Sequence, residues 1–179
     1  MSAPARLTRR GRRRLMVATV LAVVAAVVAI LGVVGAQRAR PVPDDAQRSA
    51  VQAATARAVT ALMTFGPDTD VAARDEVAGH LTGPLDVEYR SQGPDLVLPG
   101  AVEAGASMTV RVVGVGVNAY SDEQSQVMVF ADQVVRIPGI SAGGTGNDET
   151  APIARWATMR NVGGNWRLAD LETVGGAPL

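Results

Sequence analysis

The N-terminal sequence carries six arginines within residues 6–14, and an uncharged apolar run from Leu15 to Val34 follows them directly. The arginines are Arg6, Arg9, Arg10, Arg12, Arg13 and Arg14. The run is twenty residues long, and Thr19 is its only polar side chain. As an α-helix it would span about 30 Å, which matches the hydrocarbon core of a bilayer. The sequence therefore predicts a transmembrane helix.

The arginines also predict the orientation of this helix. Positive charge beside a membrane span stays on the cytoplasmic side, and only Arg38 and Arg40 follow the run closely. We therefore expect a single-pass plasma-membrane protein with a cytoplasmic N-terminus and an extracytoplasmic C-terminal domain. The expected organisation is a basic cytoplasmic segment (1–14), a signal anchor (15–36), a linker (37–44) and one extracytoplasmic domain (45–179).

Two alternatives for the apolar run are a cleaved signal peptide and a buried core helix. Gly35 and Ala36 would supply small residues for cleavage, but the apolar region of a signal peptide usually has only about 7–15 residues. A core helix of a soluble domain normally keeps a polar face, which this run lacks. The sequence favours the uncleaved anchor, and a mature protein beginning near Gln37 would contradict it.

The composition excludes several classes of function. The first 40 residues contain eight arginines and no acidic residue, whereas the other 139 contain nine arginines and 17 Asp plus Glu, a net charge of −8. An acidic domain argues against binding nucleic acid, which requires basic patches. The chain has no cysteine and no lysine, which excludes disulfides, thiolate nucleophiles and Schiff-base chemistry. No motif indicates a cofactor or a metal.

The order of the predicted elements indicates an α+β fold. We expect helices at 46–65, from about 71 to 81 and at 85–89, the first capped by Asp44 or Asp45 and ended by Gly66-Pro67. We expect strands at 107–118, 126–137, 152–162 and 165–173, the last two joined by Gly163-Gly164. Consecutive strands favour a curved antiparallel meander with the helices packed on it.

Two glycine-rich segments were compared with known binding loops, and neither has the sequence that such a loop requires. Gly114 and Gly116 lack the continuation and the helix of a dinucleotide loop, so a bulge in a curved strand is the better interpretation. The loop at 139–150 lacks the Lys-Ser/Thr ending of a phosphate loop and the alternating oxygen ligands of a calcium loop. Its role stays open.

Three segments resemble the Mce-associated membrane proteins of actinobacteria, which are single-pass proteins with a cone-shaped ectodomain of the scytalone dehydratase and ketosteroid isomerase type. The segments are AVTALMTFGPDTD (Ala58 to Asp70), HLTGPLDVEYR (His80 to Arg90) and GGNWRLADLETV (Gly163 to Val174). The resemblance implies a cystatin-like cone fold and an accessory role beside a lipid-importing Mce complex. It supplies no catalytic residue.

The chain offers two weak catalytic candidates, His80 and Asp132. His80 is the only histidine and is expected late in the second helix, where a cation suits the helix dipole. Asp132 would point into the concave face of the sheet if Phe130 does, but both faces of that strand are apolar. A paired or solvent-facing Asp132 is the simpler interpretation. Trp156 and Trp166 could face an apolar ligand, although aromatics in a small domain usually belong to the core.

Two hypotheses of function follow from these observations. The first is a non-enzymatic accessory protein that docks on a cell-envelope transport complex, and a one-span secretion-system subunit of similar architecture is an alternative to it. The second is a hydrophobic-ligand carrier, or an isomerase- or lyase-like enzyme, that uses the cone pocket. It requires a roomy cavity with a polar group converging on it. The sequence leaves open which surface docks and whether the protein is a homo-oligomer.

Overall fold

The first helix, α1 (Asp45–Met63), begins at the carboxylate that the sequence indicates. In this computed structural model, which describes residues 42–139 and 150–175, Asp44 Oδ1 accepts a hydrogen bond from the Gln47 amide at 2.7 Å. The Asp44 amide donates in return to Gln47 Oε1 at 3.0 Å, which completes a capping box. The helix ends two residues before the predicted Phe65, because the Phe65 backbone pairs with Met108 in an antiparallel bridge.

Three shorter helices and one 3-10 turn follow α1. They are α2 (Val71–Gly79), α3 (Pro84–Gln92), the 3-10 turn (Gly93–Leu96) and α4 (Ala101–Ala104). Asp70 caps α2 by accepting from the Ala73 amide at 2.8 Å. The sequence predicts α3 too short and misses the segment 93–104. The segment 93–104 is interrupted by glycines and prolines, so its apolar residues show no helical periodicity. Gly93 and Gly100 have positive φ angles.

Four antiparallel strands form one sheet in the order β1-β2-β3-β4. They are β1 (Ser107–Tyr120), β2 (Gln124–Arg136), β3 (Ala151–Val162) and β4 (Asn165–Thr173). This meander confirms the predicted α+β class and the β3–β4 hairpin. Gly163 and Gly164 form the turn with φ angles of 60° and 84°, the left-handed conformation that a two-residue hairpin requires.

The sheet is curved by irregularities in its edge strands. The β1–β2 register shifts between Val112 and Gly114 and again between Val117 and Ala119, and the β3–β4 register shifts next to Met159. The bulge predicted from the glycines of β1 is therefore present. The curvature brings the ends of the first and last strands together, since the rings of Tyr120 and Trp166 lie 5.8 Å apart.

The core lies between α1 and the concave face of the sheet. The buried apolar residues of α1 are Val51, Ala54, Ala58, Val59, Leu62 and Met63. The sheet contributes Met108 and Val110 of β1, Val127, Val129 and Ala131 of β2, Ala157 and Met159 of β3, and Leu168 of β4. Each of these sheet residues is at most 3% exposed, so the middle of the concave face is closely packed.

Both edges of the sheet carry additional backbone contacts. On β1, Met108 pairs with Phe65, and the Val115 carbonyl accepts from the Gln52 side chain at 2.9 Å. On β4, the Leu168 amide donates to the His80 carbonyl at 2.9 Å, and the Leu168 carbonyl accepts from the Thr82 amide at the same distance. The segments before α2 and α3 thus fix the two outer strands to the helical layer.

The predicted membrane segment lies outside the described residues, as do the segment 1–14, most of the linker 37–44, and residues 140–149 of the glycine-rich loop. Between residues 42 and 175, leaving out that loop, no helix combines the length and the apolar character needed to cross a bilayer. The boundaries proposed for the N-terminal segments therefore stay predictions.

Tyr89 of α3 gives a pH-dependent prediction. The residue is 4% exposed, and burial raises its pKa above the ordinary value of about 10, while the Arg74 charge partly opposes the shift. The folded state therefore holds the phenol proton more tightly than the unfolded state. This stabilisation is present below the ordinary pKa and is lost as the pH rises through the folded-state pKa.

Replacing Tyr89 with phenylalanine should make the free energy of unfolding less steeply dependent on pH above about pH 10. Urea denaturation at a series of pH values measures the slope for both proteins. Equal slopes for the variant and the wild type above pH 10 would contradict the assignment to Tyr89.

Candidate functional site

The centre of the concave face is closely packed. It is filled by Val127, Ala157, Met159 and Leu168, each fully buried. The roomy interior cavity required by the carrier or enzyme hypothesis does not exist at this centre. A smaller cavity of about 270 Å³, which we call the mouth cavity, lies where α1 ends.

Four elements and the 3-10 turn line the mouth cavity. The lining residues are Leu62 and Met63 of α1, Leu85 and Glu88 of α3, Leu96 and Val97 at the 3-10 turn, Arg155 of β3, and Asp170, Leu171 and Thr173 of β4. Most of these side chains are aliphatic. The cavity therefore combines an apolar wall with one cation and two carboxylates.

Arg155 occupies an unusual position in the sheet. Its register partners are Val129 and Thr173, so it lies on the concave side, in line with buried Val129. By register, it is the only charged residue on that side among the described strand residues. Its guanidinium donates to Thr173 Oγ1, and no carboxylate of the described chain lies within 4.0 Å of it. No motif in the sequence indicates a role for this residue.

Asp132 lies on the outer, convex face of the sheet. The buried residues of β2 are Ser125, Val127, Val129 and Ala131, so Phe130 and Asp132 point the other way. The Asp132 carboxylate accepts from the Arg111 guanidinium at 3.0 Å, across the β1–β2 pair. The structure therefore places Asp132 away from the concavity and gives it an ionic partner.

His80 follows α2 immediately rather than lying within it. Its backbone N–H donates to the Val77 carbonyl at 2.9 Å, and its backbone carbonyl holds β4. The side chain borders an open groove of about 540 Å³, together with Ala56, Arg57, Thr60 and Ala61 of α1 and residues 110–112 of β1. In the described chain, no carboxylate lies near enough to His80 to form an ion pair, and no group of three ligands there could hold a metal. His80 and Asp132 are not brought together.

The convex face presents an apolar surface, which we call the outer aromatic patch: Val113, Met128, Phe130, Ala154 and Trp156. Phe130 is 49% exposed, and Val113, the extra residue of the first bulge, is 57% exposed. Trp156 pairs with Met128, and Ala154 pairs with Phe130. The outer face of such a sheet is normally polar, so this patch is a candidate docking surface.

Glycine keeps the patch accessible on its β1 side. A Cβ atom at Gly114 would lie 3.7 Å from Phe130 Cδ2, and one at Gly116 would meet no atom within 4 Å. The Phe130 ring therefore lies against bare backbone. Trp156 belongs to this face, so the expectation that this large aromatic lies in the core was wrong. Trp166 does pack against the core.

Charged residues border the outer aromatic patch. Glu172 of β4 is the register partner of Trp156 and is exposed, and the ion pair of Arg111 and Asp132 lies beside Phe130. No arginine of the described chain lies within 4.0 Å of the Glu172 carboxylate. The patch thus has an apolar centre and a polar rim, which is the usual anatomy of a protein interface.

Similarity to known proteins is found at the level of sequence and of fold. No protein-family model matches this chain. Outer membrane protein Rv1973 of Mycobacterium tuberculosis H37Rv is 26% identical over 129 residues, which is 72% of this chain and 76% of that protein. Uncharacterized protein Rv1362c of the same strain is 27% identical over 129 residues, and the match spans only 56% of its length.

A solved structure with a similar fold is an IcmL-like type IV secretion system protein from Legionella pneumophila. The TM-score is 0.55 at 12% sequence identity, and the match covers 78% of this chain and 98% of that one. At this identity the likeness concerns the fold alone. It confirms that helices packed on a curved four-stranded antiparallel sheet are an established architecture.

Proposed function

We propose that this chain is a non-enzymatic, membrane-anchored accessory protein whose extracytoplasmic domain docks on a protein of a cell-envelope complex. The outer aromatic patch is the observation that carries this proposal. The interior of the domain is packed, while Phe130 is exposed and Trp156 half-buried on the convex face, which favours binding of a protein partner over binding of a substrate. Among the residues that the structure describes, neither His80 nor Asp132 belongs to a constellation that could perform acid–base chemistry.

The partner of the patch is a protein with an apolar contact surface and basic residues at its border. Phe130, Trp156 and Met128 offer rigid or adaptable apolar side chains of the types enriched at the centres of interfaces. Glu172 beside Trp156 favours a cation on the partner. The net charge of −8 beyond residue 40 disfavours anionic lipid headgroups and nucleic acid.

The proposed location is the plasma membrane, with the arginines at 6–14 inside and the domain outside. The apolar run Leu15 to Val34 and the asymmetry of the flanking arginines support it. A relative named as an outer membrane protein supports a place in the envelope. The proposed segments are 1–14, 15–36, 37–44 and 45–179.

The finer proposal is that the partner belongs to an Mce-type lipid-import complex. The resemblance of the segments 58–70, 80–90 and 163–174 to Mce-associated proteins supports it. A subunit of a secretion system is the second candidate, and the fold shared with the Legionella secretion protein favours it. Both candidates describe a membrane-anchored docking protein, and they differ in the complex to which its partner belongs.

Co-purification of the full chain from gently solubilised membranes tests the proposal. A C-terminal tag, brief chemical crosslinking and mass spectrometry identify the bound proteins, and an unrelated single-pass protein with the same tag is the control. We expect Mce-type proteins to be enriched over that control. Enrichment of secretion-system components would support the second candidate, and repeated purification without any specific partner would contradict docking.

A further inference from the structure

We propose that the mouth cavity is a binding site for a short aliphatic monocarboxylate, with the carboxylate on Arg155 and the alkyl chain against the leucines. The inference does not depend on the docking function, because the cavity and the outer aromatic patch lie on opposite faces of the sheet. It rests on the position of Arg155, the size of the cavity and the charges at its rim.

The guanidinium of Arg155 is the polar group that needs a partner. It has five N–H donors, and Thr173 Oγ1 is its side-chain acceptor in the described chain. The Arg155 side chain is partly buried beside aliphatic residues, and its hydrogen bond to Thr173 is exposed. In the described chain no carboxylate lies within 4.0 Å of the guanidinium, so it is free to pair with an anion that enters the cavity. A ligand carboxylate would accept two parallel hydrogen bonds from it.

The apolar wall and the volume define the rest of the ligand. Leu62, Leu85, Leu96, Val97 and Leu171 provide aliphatic surface around the guanidinium. A volume of about 270 Å³ lies just below the range of about 300–1,000 Å³ typical of sites for drug-sized molecules. The cavity therefore suits a chain of medium length and not a complete two-chain lipid.

Glu88 and Asp170 at the rim favour a single negative charge on the ligand. Both residues are exposed, and both line the cavity with Arg155. One ligand carboxylate can pair with the guanidinium, whereas a second anionic group in the same cavity would lie among side chains that include these two acids. A monocarboxylate is thus preferred over a dicarboxylate of the same length.

Binding of radiolabelled octanoate to the full chain in lipid nanodiscs tests the inference, with empty nanodiscs as the background. We expect saturable binding of one octanoate per chain. Unlabelled octanoate should displace the label, while octanol, suberate and inorganic phosphate should be at least tenfold weaker competitors. Absence of saturable binding, or equal competition by octanol, would overturn the proposal.

Two arginine variants on the same strand make the test specific. Arg155→Met should reduce octanoate affinity at least tenfold, and Arg155→Lys should retain part of it. Arg160→Met is the matched control, since Arg160 is exposed on β3 and is no part of the cavity. Unchanged binding by Arg155→Met would overturn the proposal.

Thermal unfolding in the same nanodiscs separates loss of binding from loss of folding. Octanoate should raise the Tm of the wild type and of Arg160→Met, but not that of Arg155→Met. Arg155→Met should also retain the partners captured by the wild-type chain. Failure of partner capture in the wild type would leave the octanoate result unaffected, so the two proposals can fail separately.

Discussion

Replacing Phe130 with aspartate is expected to reduce capture of the partner protein by roughly 30-fold or more, which corresponds to about 2 kcal/mol at the centre of an interface. The Phe130 ring is 49% exposed and lies against Gly114. On the same face it is flanked on one side by Met128 with its register partner Trp156, and on the other by the ion pair of Arg111 and Asp132. A carboxylate in this position would be buried unpaired on docking. The same crosslinking and affinity purification measures the effect.

Val102→Asp is the matched control for Phe130→Asp. Val102 on α4 is 57% exposed, so the change from an apolar to a charged side chain is comparable at a distant position. We expect wild-type capture from this variant and similar Tm values for both. If Val102→Asp loses the partner as severely as Phe130→Asp, the outer aromatic patch is not the docking surface.

Replacing Leu168 with alanine is expected to lower the free energy of unfolding by about 2–5 kcal/mol. Leu168 is fully buried at the centre of the concave face, and its own backbone is held by His80 and Thr82. The backbone contacts on both sides restrict relaxation of the strand, so the cavity left by the side chain should persist. This favours the upper half of the range.

Urea denaturation of Leu168→Ala beside Val87→Ala measures this effect. Val87 on α3 is 67% exposed, and its truncation should change the free energy of unfolding by no more than about 0.5 kcal/mol. A loss below about 1 kcal/mol for Leu168→Ala would contradict the packing described for the concave face.

Local signals in the sequence predicted most of the fold. Asp44 and Asp70 act through hydrogen bonds within three residues, so their capping roles can be predicted without tertiary information. Gly163-Gly164 likewise indicates a hairpin by itself, because only glycine adopts two successive positive φ angles readily. The early end of α1 was not predictable in this way, since Phe65 leaves the helix to pair with Met108, 43 residues later in the chain.

The candidate sites could not be predicted, because the sequence did not show which side of β2 faces the core. Both sides of β2 are apolar, so the periodicity could not decide whether Phe130 and Asp132 face the core or the solvent. The core packing of Val127 and Val129 decides it. The position of Arg155 could be predicted in part, because alternate residues of a strand share a face and Arg155 alternates with Ala157 and Met159 in β3. Placing Arg155 on the concave side required knowing that Ala157 and Met159 are the buried residues of this strand.

The backbone contacts at the two edges of the sheet have a consequence for assembly. The Phe65 bridge on β1 and the pairing of Leu168 with His80 and Thr82 on β4 occupy groups that an incoming strand would need. The Leu171 amide is likewise engaged, by Asp170 Oδ1 at 2.8 Å. Recruitment by strand addition is therefore disfavoured, as is runaway polymerisation through sheet edges. The proposed docking would therefore depend on the side chains of the convex face and not on backbone pairing at the edges of the sheet.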